Sequence, residues 1–124
     1  MEKKMIHTDN APAAIGPYSQ AIDLGEIIFT SGQIPVAPDG SVSSDISEQT
    51  RQALLNLKAV VEASGSSFDK VIKTTVFITD MAQFGAINAV YSEFFKEPYP
   101  ARSCVQVAAL PKGVSIEIEA IALK

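Results

Sequence analysis

Two stretches near the end of the chain decide the fold: Pro100-Ala101-Arg102-Ser103-Cys104-Val105-Gln106-Val107 and Ser115-Ile116-Glu117-Ile118-Glu119-Ala120. Both are β-type runs, and they carry an arginine, the only cysteine and two glutamates. The planar fork of an arginine grips a small carboxylate through two parallel hydrogen bonds, and a nearby glutamate can hold or activate a water. These stretches are therefore the candidate working site, which the rest of the chain holds in place.

The chain has 124 residues, which is enough for one domain with its own core, and we expect a single domain over residues 1–124. The formal charge of −4 and the lack of a basic cluster argue against nucleic acid as the main partner, since binding to phosphates needs a basic patch. One cysteine permits no internal disulfide, which fits a cytoplasmic compartment. There is no basic leader and no apolar run near the roughly 20 residues that span a bilayer, so no membrane partner is expected.

The chain is predicted to run β-β-β-α-β-α-β-β, counting the two stretches above. Apolar residues at helical spacing follow the capping residues Asp45 and Asp80 and predict helices that end near Ser64 and Phe95. Runs rich in β-branched or apolar residues predict strands at 3–8, 19–24, 26–31 and 70–79. This order indicates an α+β fold, in which about six strands form a sheet with both helices on one face.

The last two strands are predicted to form a hairpin through the turn at 110–113. A tight hairpin would place Cys104 opposite Ile118, whereas a one-residue bulge would place it opposite a glutamate, and the sequence leaves this register open. The final strand is apolar at Ile121 and Leu123 as well as on its other side. We therefore expect a partner subunit to cover its second face.

The sequence contains no pattern that indicates a metal site or a nucleotide-binding site. His7 is the only histidine and lies far from Cys104, so the two cannot form a standard zinc site. Neither a G-x-G-x-x-G nor a G-x-x-x-x-G-K-[ST] motif is present. Without a histidine nearby to act as its base, Cys104 is interpreted as a small, half-buried hydrophobe. We expect no metal and no cofactor.

Arg102 can be interpreted as a clamp for a carboxylate. Alternatively, its role is structural, either as an exposed strand-end arginine or in an ion pair with Glu117 or Glu119. The two glutamates are two residues apart, so they point to the same side of their strand. Tyr18 in a Gly-Pro loop and Ser31-Gly32 at a strand end could each offer a hydroxyl or a backbone donor to a small ligand. Both are also ordinary turn residues.

Four stretches together resemble the reactive intermediate deaminase family, also known as RidA, YjgF or endoribonuclease L-PSP. The resemblance covers essentially the whole chain in order, and no single stretch carries it. The stretches are NAPAAIGPYSQ at 10–20, TSGQIP at 30–35, KTTVFI at 73–78, and PARSCV at 100–105 with IEIEAIA at 116–122.

The resemblance implies a chorismate-mutase-like α+β fold that assembles as a homotrimer, with a central barrel of sheets and ligand clefts between subunits. It also implies an activity, the hydrolysis of 2-iminobutanoate and 2-iminopropanoate to the 2-oxo acid and ammonia. These imines and their enamine tautomers are released by pyridoxal-phosphate-dependent dehydratases. The deaminase itself is implied to need no cofactor.

The resemblance also implies roles for individual residues. Arg102 would bind the substrate carboxylate, and Glu117 would position or activate the attacking water. The backbone carbonyl of Cys104 would face the imine nitrogen. Tyr18 would line the cleft from a neighbouring subunit, and Ser31-Gly32 would contribute to its wall.

Gln106 and Ala109 depart from the family pattern, which more often has a glutamate and an arginine there. A lost surface ion pair is usually worth about 0–1 kcal/mol, so we expect the change to affect trimer contacts rather than catalysis. The alternative function is a small-ligand-binding protein that regulates a partner through the same cleft. A ribonuclease is a weaker alternative, because the chain is acidic.

Overall fold

The computed structural model describes residues 1–124 as one mixed six-stranded sheet with two helices. The sheet order is β1-β2-β3-β6-β4-β5; β4 and β5 run parallel, and the other neighbours are antiparallel. The predicted α+β class is therefore confirmed. The elements are β1 (Lys4–Ile6), β2 (Ala21–Asp23), β3 (Ile27–Thr30), α1 (Ile46–Ala63), β4 (Val71–Ile78), α2 (Phe84–Tyr91), β5 (Ala101–Gln106) and β6 (Ile116–Leu123).

Helix α1 begins where the sequence predicts. The carboxylate of Asp45 accepts a hydrogen bond from the backbone N–H of Glu48 at 3.0 Å, which satisfies one of the free donors of the first turn. One face of the helix is buried against the sheet, where Leu54 and Leu57 meet Ile28 and Ile118 in a single core. Burial of such a side chain contributes about 1.5–3 kcal/mol, so this face holds α1 on the sheet.

Helix α2 is shorter than its apolar pattern predicts. The helix ends at Tyr91 rather than near Phe95, and Asp80 caps a 3₁₀ turn at 81–83 that precedes it. Phe95 is nevertheless buried and stacks on Phe68, with ring centres 4.7 Å apart. The apolar periodicity therefore continues into the turns after the helix, because packing requires a buried side chain there and not a helical backbone.

The last two strands do not form the predicted hairpin. Strand β4 lies between β5 and β6 and pairs with both. Cys104 is level with Val76, which is level with Ile118 on the far side, so Cys104 and Ile118 share a row but are separated by a strand. The physical reason lies in β4, whose residues Thr74, Val76 and Ile78 are almost fully buried and gain most from neighbours on both edges.

The two sheet faces differ in how they are covered. Both helices pack on one face, as predicted, and no element of the chain covers the other. The open face carries a row of apolar side chains in register, Ile22, Phe29 and Ile121, and Phe29 is 43% exposed. Cover by a partner subunit stays a prediction. Neither helix combines the length and the apolar character that crossing a bilayer requires.

Candidate active site

Arg102 is held against α2 and not left free at the strand end. Its Nη1 donates a hydrogen bond to Oδ1 of Asn88 at 2.7 Å. The guanidinium carbon lies 4.8 Å from the ring centre of Tyr91 and 5.4 Å from that of Phe84, within the range of cation–π attraction. These contacts fix the guanidinium and leave other N–H donors for a ligand.

The predicted alternative for Arg102, a structural ion pair with a glutamate of β6, is wrong for the single chain. The chain's ion pairs involve His7, Arg51 and Lys124, and none involves Arg102. The reason is that the Arg102 side chain lies on the helix face of the sheet, away from Glu117 and Glu119. The guanidinium charge therefore remains available to an anion from outside the chain.

Sequence reasoning did not assign the three α2 residues around Arg102 to the site. Phe84, Asn88 and Tyr91 are spaced i, i+4 and i+7, so they lie on one side of the helix. The available signal was Asn88, a polar residue in the middle of an otherwise apolar helical stripe. The contact of Asn88 with Arg102 depends on the parallel pairing of β4 and β5, which places Arg102 under α2.

The Tyr91 ring is itself held in place by a residue of strand β4. Its hydroxyl shares a 2.7 Å hydrogen bond with Oγ1 of Thr74, which is level with Arg102 on the neighbouring strand. Burial raises the pKa of Tyr91 above its usual value, so the phenol remains neutral at physiological pH. Thr74, Tyr91 and Arg102 thus form a stack in which each group limits the motion of the next.

Cys104 lies two residues after Arg102 and packs its thiol side against the core on the same face. Burial raises the pKa of the Cys104 thiol, an effect that outweighs the opposing influence of the Arg102 charge. A thiol with a raised pKa is mostly protonated and is a poor nucleophile. His7 is hydrogen-bonded to Asp9 and is no partner for it. The geometry therefore fits the interpretation of Cys104 as a small, half-buried hydrophobe.

Glu117 and Gly32 are in close contact on the opposite face. A Cβ atom placed on Gly32 would overlap Oε2 of Glu117, so the carboxyl group can take this position because residue 32 is a glycine. Burial, and then the nearby charge of Glu119, raise the pKa of Glu117 above its ordinary value. A carboxyl group with a raised pKa binds a proton more readily than an exposed glutamate does, which suits a group that accepts and returns a proton.

Tyr18 and Ser31 lie beside this second group. Tyr18 is half exposed, and its hydroxyl accepts a hydrogen bond from the backbone N–H of Ile15 at 3.3 Å. The Ser31 hydroxyl donates to the backbone carbonyl of Ser19 at 2.5 Å. Both residues line a small cleft of about 390 Å³, together with Phe29 of the open face.

The predicted site residues thus form two groups. Arg102 and Cys104 face the helices at the β5 edge, whereas Glu117 faces the open side of β6 and contacts Gly32. Strand β4 separates the two groups. A single chain does not bring Arg102 and Glu117 together, so a ligand that touches both needs a second copy of the chain. No three His, Cys, Asp or Glu side chains lie close enough to hold a metal ion.

The six-stranded mixed sheet with both helices on one face places the chain among the α+β domains, with a fixed arginine on one face and a partly buried carboxyl group on the other. The family follows from comparison: residues 8–124 match the endoribonuclease L-PSP family, and the chain belongs to it. The resemblance seen in the sequence is confirmed.

Two relatives and one solved structure illustrate the family. The chain is 57% identical to the 2-iminobutanoate/2-iminopropanoate deaminase of Salmonella typhimurium over 98% of each chain. It is 56% identical to the putative reactive intermediate deaminase TdcF of Escherichia coli, also over 98% of each chain. The crystal structure of E. coli TdcF with bound serine superposes with a TM-score of 0.94 and covers 98% of this chain and 99% of that one.

Proposed function

We propose that this protein is an enamine/imine deaminase that hydrolyses 2-iminobutanoate and 2-iminopropanoate to the 2-oxo acid and ammonia. The relative of that name, at 57% identity over nearly the full length, supports the substrate class. The observation that carries the proposal is the Arg102 guanidinium, which Asn88 and two aromatic rings hold in place without a carboxylate partner. Such an arginine matches the carboxylate that all these substrates share.

The proposed site is shared between two copies in a homotrimer. Arg102 and Cys104 come from one copy, and Glu117 with Gly32 comes from the next. The separation of these residues by the sheet supports this division. Tyr18 and Ser31, which lie on the Glu117 side, then line the same cleft. The uncovered apolar row on the open face supports assembly, since monomers rarely expose such patches.

The reaction needs little chemistry from the protein. Arg102 holds the carboxylate, and the backbone carbonyl of Cys104 accepts a hydrogen bond from the imine N–H. Glu117 takes a proton from a water as the oxygen adds to the imine carbon, and passes that proton to the imine nitrogen, which gives a neutral carbinolamine. Glu117 then takes the hydroxyl proton and gives it to the amino nitrogen as the C–N bond breaks, so that ammonia leaves and the 2-oxo acid forms. Orientation and acid–base assistance of this kind contribute about 10²–10⁴-fold.

This mechanism makes no use of a cofactor or a nucleophilic cysteine. We also propose that the protein acts in the cytoplasm, where it removes reactive imines that pyridoxal-phosphate-dependent dehydratases release. The ribonuclease activity in the family's name has little physical support here, because the chain carries a formal charge of −4.

The test couples the protein to a threonine dehydratase and follows the formation of 2-oxobutanoate and ammonia. We expect the protein to accelerate both over buffer. Arg102→Ala should abolish the acceleration while the oligomer survives, since the guanidinium lies at the sheet edge and not in the core. Full activity of Arg102→Ala would show that the carboxylate clamp is wrong.

A ligand-binding regulator is the second candidate, because the related TdcF structure contains bound serine. The same assay separates the two functions. A regulator would bind a small carboxylate through Arg102 but would give no turnover above the rate in buffer.

A further inference from the structure

A further cleft of the chain lies apart from the Arg102 group. Its volume is about 690 Å³, and segments 8–13 and 32–34 line it together with Asn56 of α1 and Lys112. No residue of β5 or α2 lines it. Volumes of about 300–1,000 Å³ are typical of pockets for small molecules.

Two buried amides hold the walls of this cleft. The Gln20 side chain accepts from the backbone N–H of Thr8 and donates to the backbone carbonyls of Thr8 and Pro12. The Asn56 side chain donates to the backbone carbonyls of Ile34 and Val36, each at 3.0 Å. The loops on both sides of the cleft are therefore held in one conformation, because each is hydrogen-bonded to a buried side chain.

A third buried amide, that of Gln33, has no hydrogen bond within the chain. Gln33 is only 4% exposed, and its backbone is bonded to Ile118 through both its N–H and its C=O. No fully enclosed side-chain nitrogen or oxygen in the protein lacks a partner. The Gln33 amide therefore keeps its small contact with solvent, and the cleft that Gln33 lines provides it.

The Gln33 side chain also points away from Glu117. The Cβ position of Gly32 faces Glu117, and successive residues of an extended segment point to opposite sides. Gln33 therefore belongs to the cleft and not to the proposed catalytic group. A buried polar side chain that makes no hydrogen bond within the protein destabilises the fold unless a ligand or a water molecule forms that hydrogen bond.

We propose that this cleft is a second ligand site, which takes a short-chain aliphatic carboxylate. The Gln33 amide donates to one carboxylate oxygen. Two charged side chains line the same cleft, Asp9 and Lys112. The Asp9 carboxylate is held by His7 at 3.0 Å, whereas Lys112 makes no ion pair within the chain, so the free charge there favours an anion. Ala11 and Val36 supply apolar wall for a short carbon chain. The site contains neither Arg102 nor Glu117, although Tyr18 and Gly32 of the proposed catalytic cleft also line it. Binding there is therefore tested with Arg102 removed.

The test titrates the full-length protein with 2-oxobutanoate and follows ¹H–¹⁵N spectra, including the side-chain NH₂ signals of Gln33. In the parent protein and in Arg102→Ala, we expect a saturable shift of the Gln33 NH₂ signals and of the backbone amide signals of segment 8–13. In Gln33→Met, which has no side-chain amide, the backbone shift of that segment should disappear. Absence of a saturable shift, or its loss in Arg102→Ala, would overturn the second site. Neither result would decide the proposed deaminase activity, which the coupled dehydratase assay tests separately.

Thermal unfolding gives an independent readout without any ligand. Gln33→Met should leave the unfolding midpoint unchanged or raise it, since no hydrogen bond is lost. The matched control, Gln20→Met, removes an amide with three hydrogen bonds and should lower the midpoint. If Gln33→Met lowered the midpoint as much as the control, the amide would have a structural partner in the oligomer, and the proposal would be wrong.

Discussion

Arg102 and Glu117 lie on opposite faces of one sheet, and a strand separates them. Arg102 is level with Thr74 on the helix side, whereas Glu117 is level with Phe77 and lies on the open side against Gly32. Because β4 pairs with both β5 and β6, the sheet itself lies between the two side chains. The two residues can act on one small molecule only if they come from different copies of the chain.

The first prediction concerns Asn88, which accepts the hydrogen bond from Arg102. Asn88→Ala should raise KM about 10–100-fold with a smaller effect on kcat, because a hydrogen bond to a charged group is worth about 1.5–3 kcal/mol. Asn88→Asp should also raise KM, since a carboxylate at this position competes with that of the substrate. Steady-state kinetics with the coupled dehydratase measures both parameters.

Ser92→Ala is the control for the Asn88 variants. Ser92 follows α2, and its hydroxyl bonds only to the backbone carbonyl of Ala89. Its removal should leave KM unchanged. A normal KM in Asn88→Ala would show that Arg102 is positioned without this hydrogen bond.

Gly32→Ala should damage the site without unfolding the protein. The new Cβ would overlap the Glu117 carboxyl group, but that side chain is flexible and can move away. A misplacement of about 1 Å costs roughly 10²-fold in rate, so kcat should fall by about that factor while circular dichroism stays native. In Gly32→Ala combined with Glu117→Gln, the losses should not add, because both changes remove the same carboxyl group from its place. If the two losses in kcat were additive, Gly32 would not act through the position of Glu117.

Glu117 should give the activity a distinctive pH dependence. Its pKa is raised by burial and by Glu119, and the mechanism uses the ionised carboxylate as a base. The rate should therefore rise with pH through a pKa above the ordinary 4.5 of a glutamate. Glu117→Gln should remove this rise together with most of the rate. A variant with an unchanged pH profile would assign the titration to another group.

The same shift predicts an effect on stability, with a definite sign. The folded protein binds the Glu117 proton more tightly than the unfolded chain does, so the free energy of unfolding falls as pH rises from 4.5 through the raised pKa. In Glu117→Gln, residue 117 does not titrate, so this decrease in the free energy of unfolding is absent. The variant should therefore gain stability relative to the parent protein over that range, as measured by chemical denaturation. A constant difference across the range would contradict the raised pKa.

The sequence predicts some levels of this structure better than others. The cap at Asp45 and the strand spanning β4 could be predicted, because both depend on neighbours a few residues away. The Arg102 clamp could be proposed because few side chains match a carboxylate. The placement of β4 between β5 and β6 could not be predicted, since strand order depends on which pairs bury most surface in the whole sheet. For the same reason, the opposite faces of Arg102 and Glu117 were not foreseen.

The end of α2 shows a similar limit. Apolar spacing reports which side chains are buried, and Phe95 is buried although the helix ends at Tyr91. The contact of Gly32 with Glu117 brings together residues that are far apart in the chain, and nothing local to Ser31-Gly32 indicates it. Contacts between distant segments are the part of the site that local patterns do not encode.

Complementation between inactive variants tests the shared site most directly. Arg102→Ala and Glu117→Gln chains are each expected to be inactive as pure oligomers. When the two are co-expressed and assemble at random into trimers, about one site in four pairs an intact Arg102 from one copy with an intact Glu117 from the next. We expect recovery to about that fraction of the parent activity. No recovery in mixed trimers of verified composition would contradict a site built from two copies of the chain.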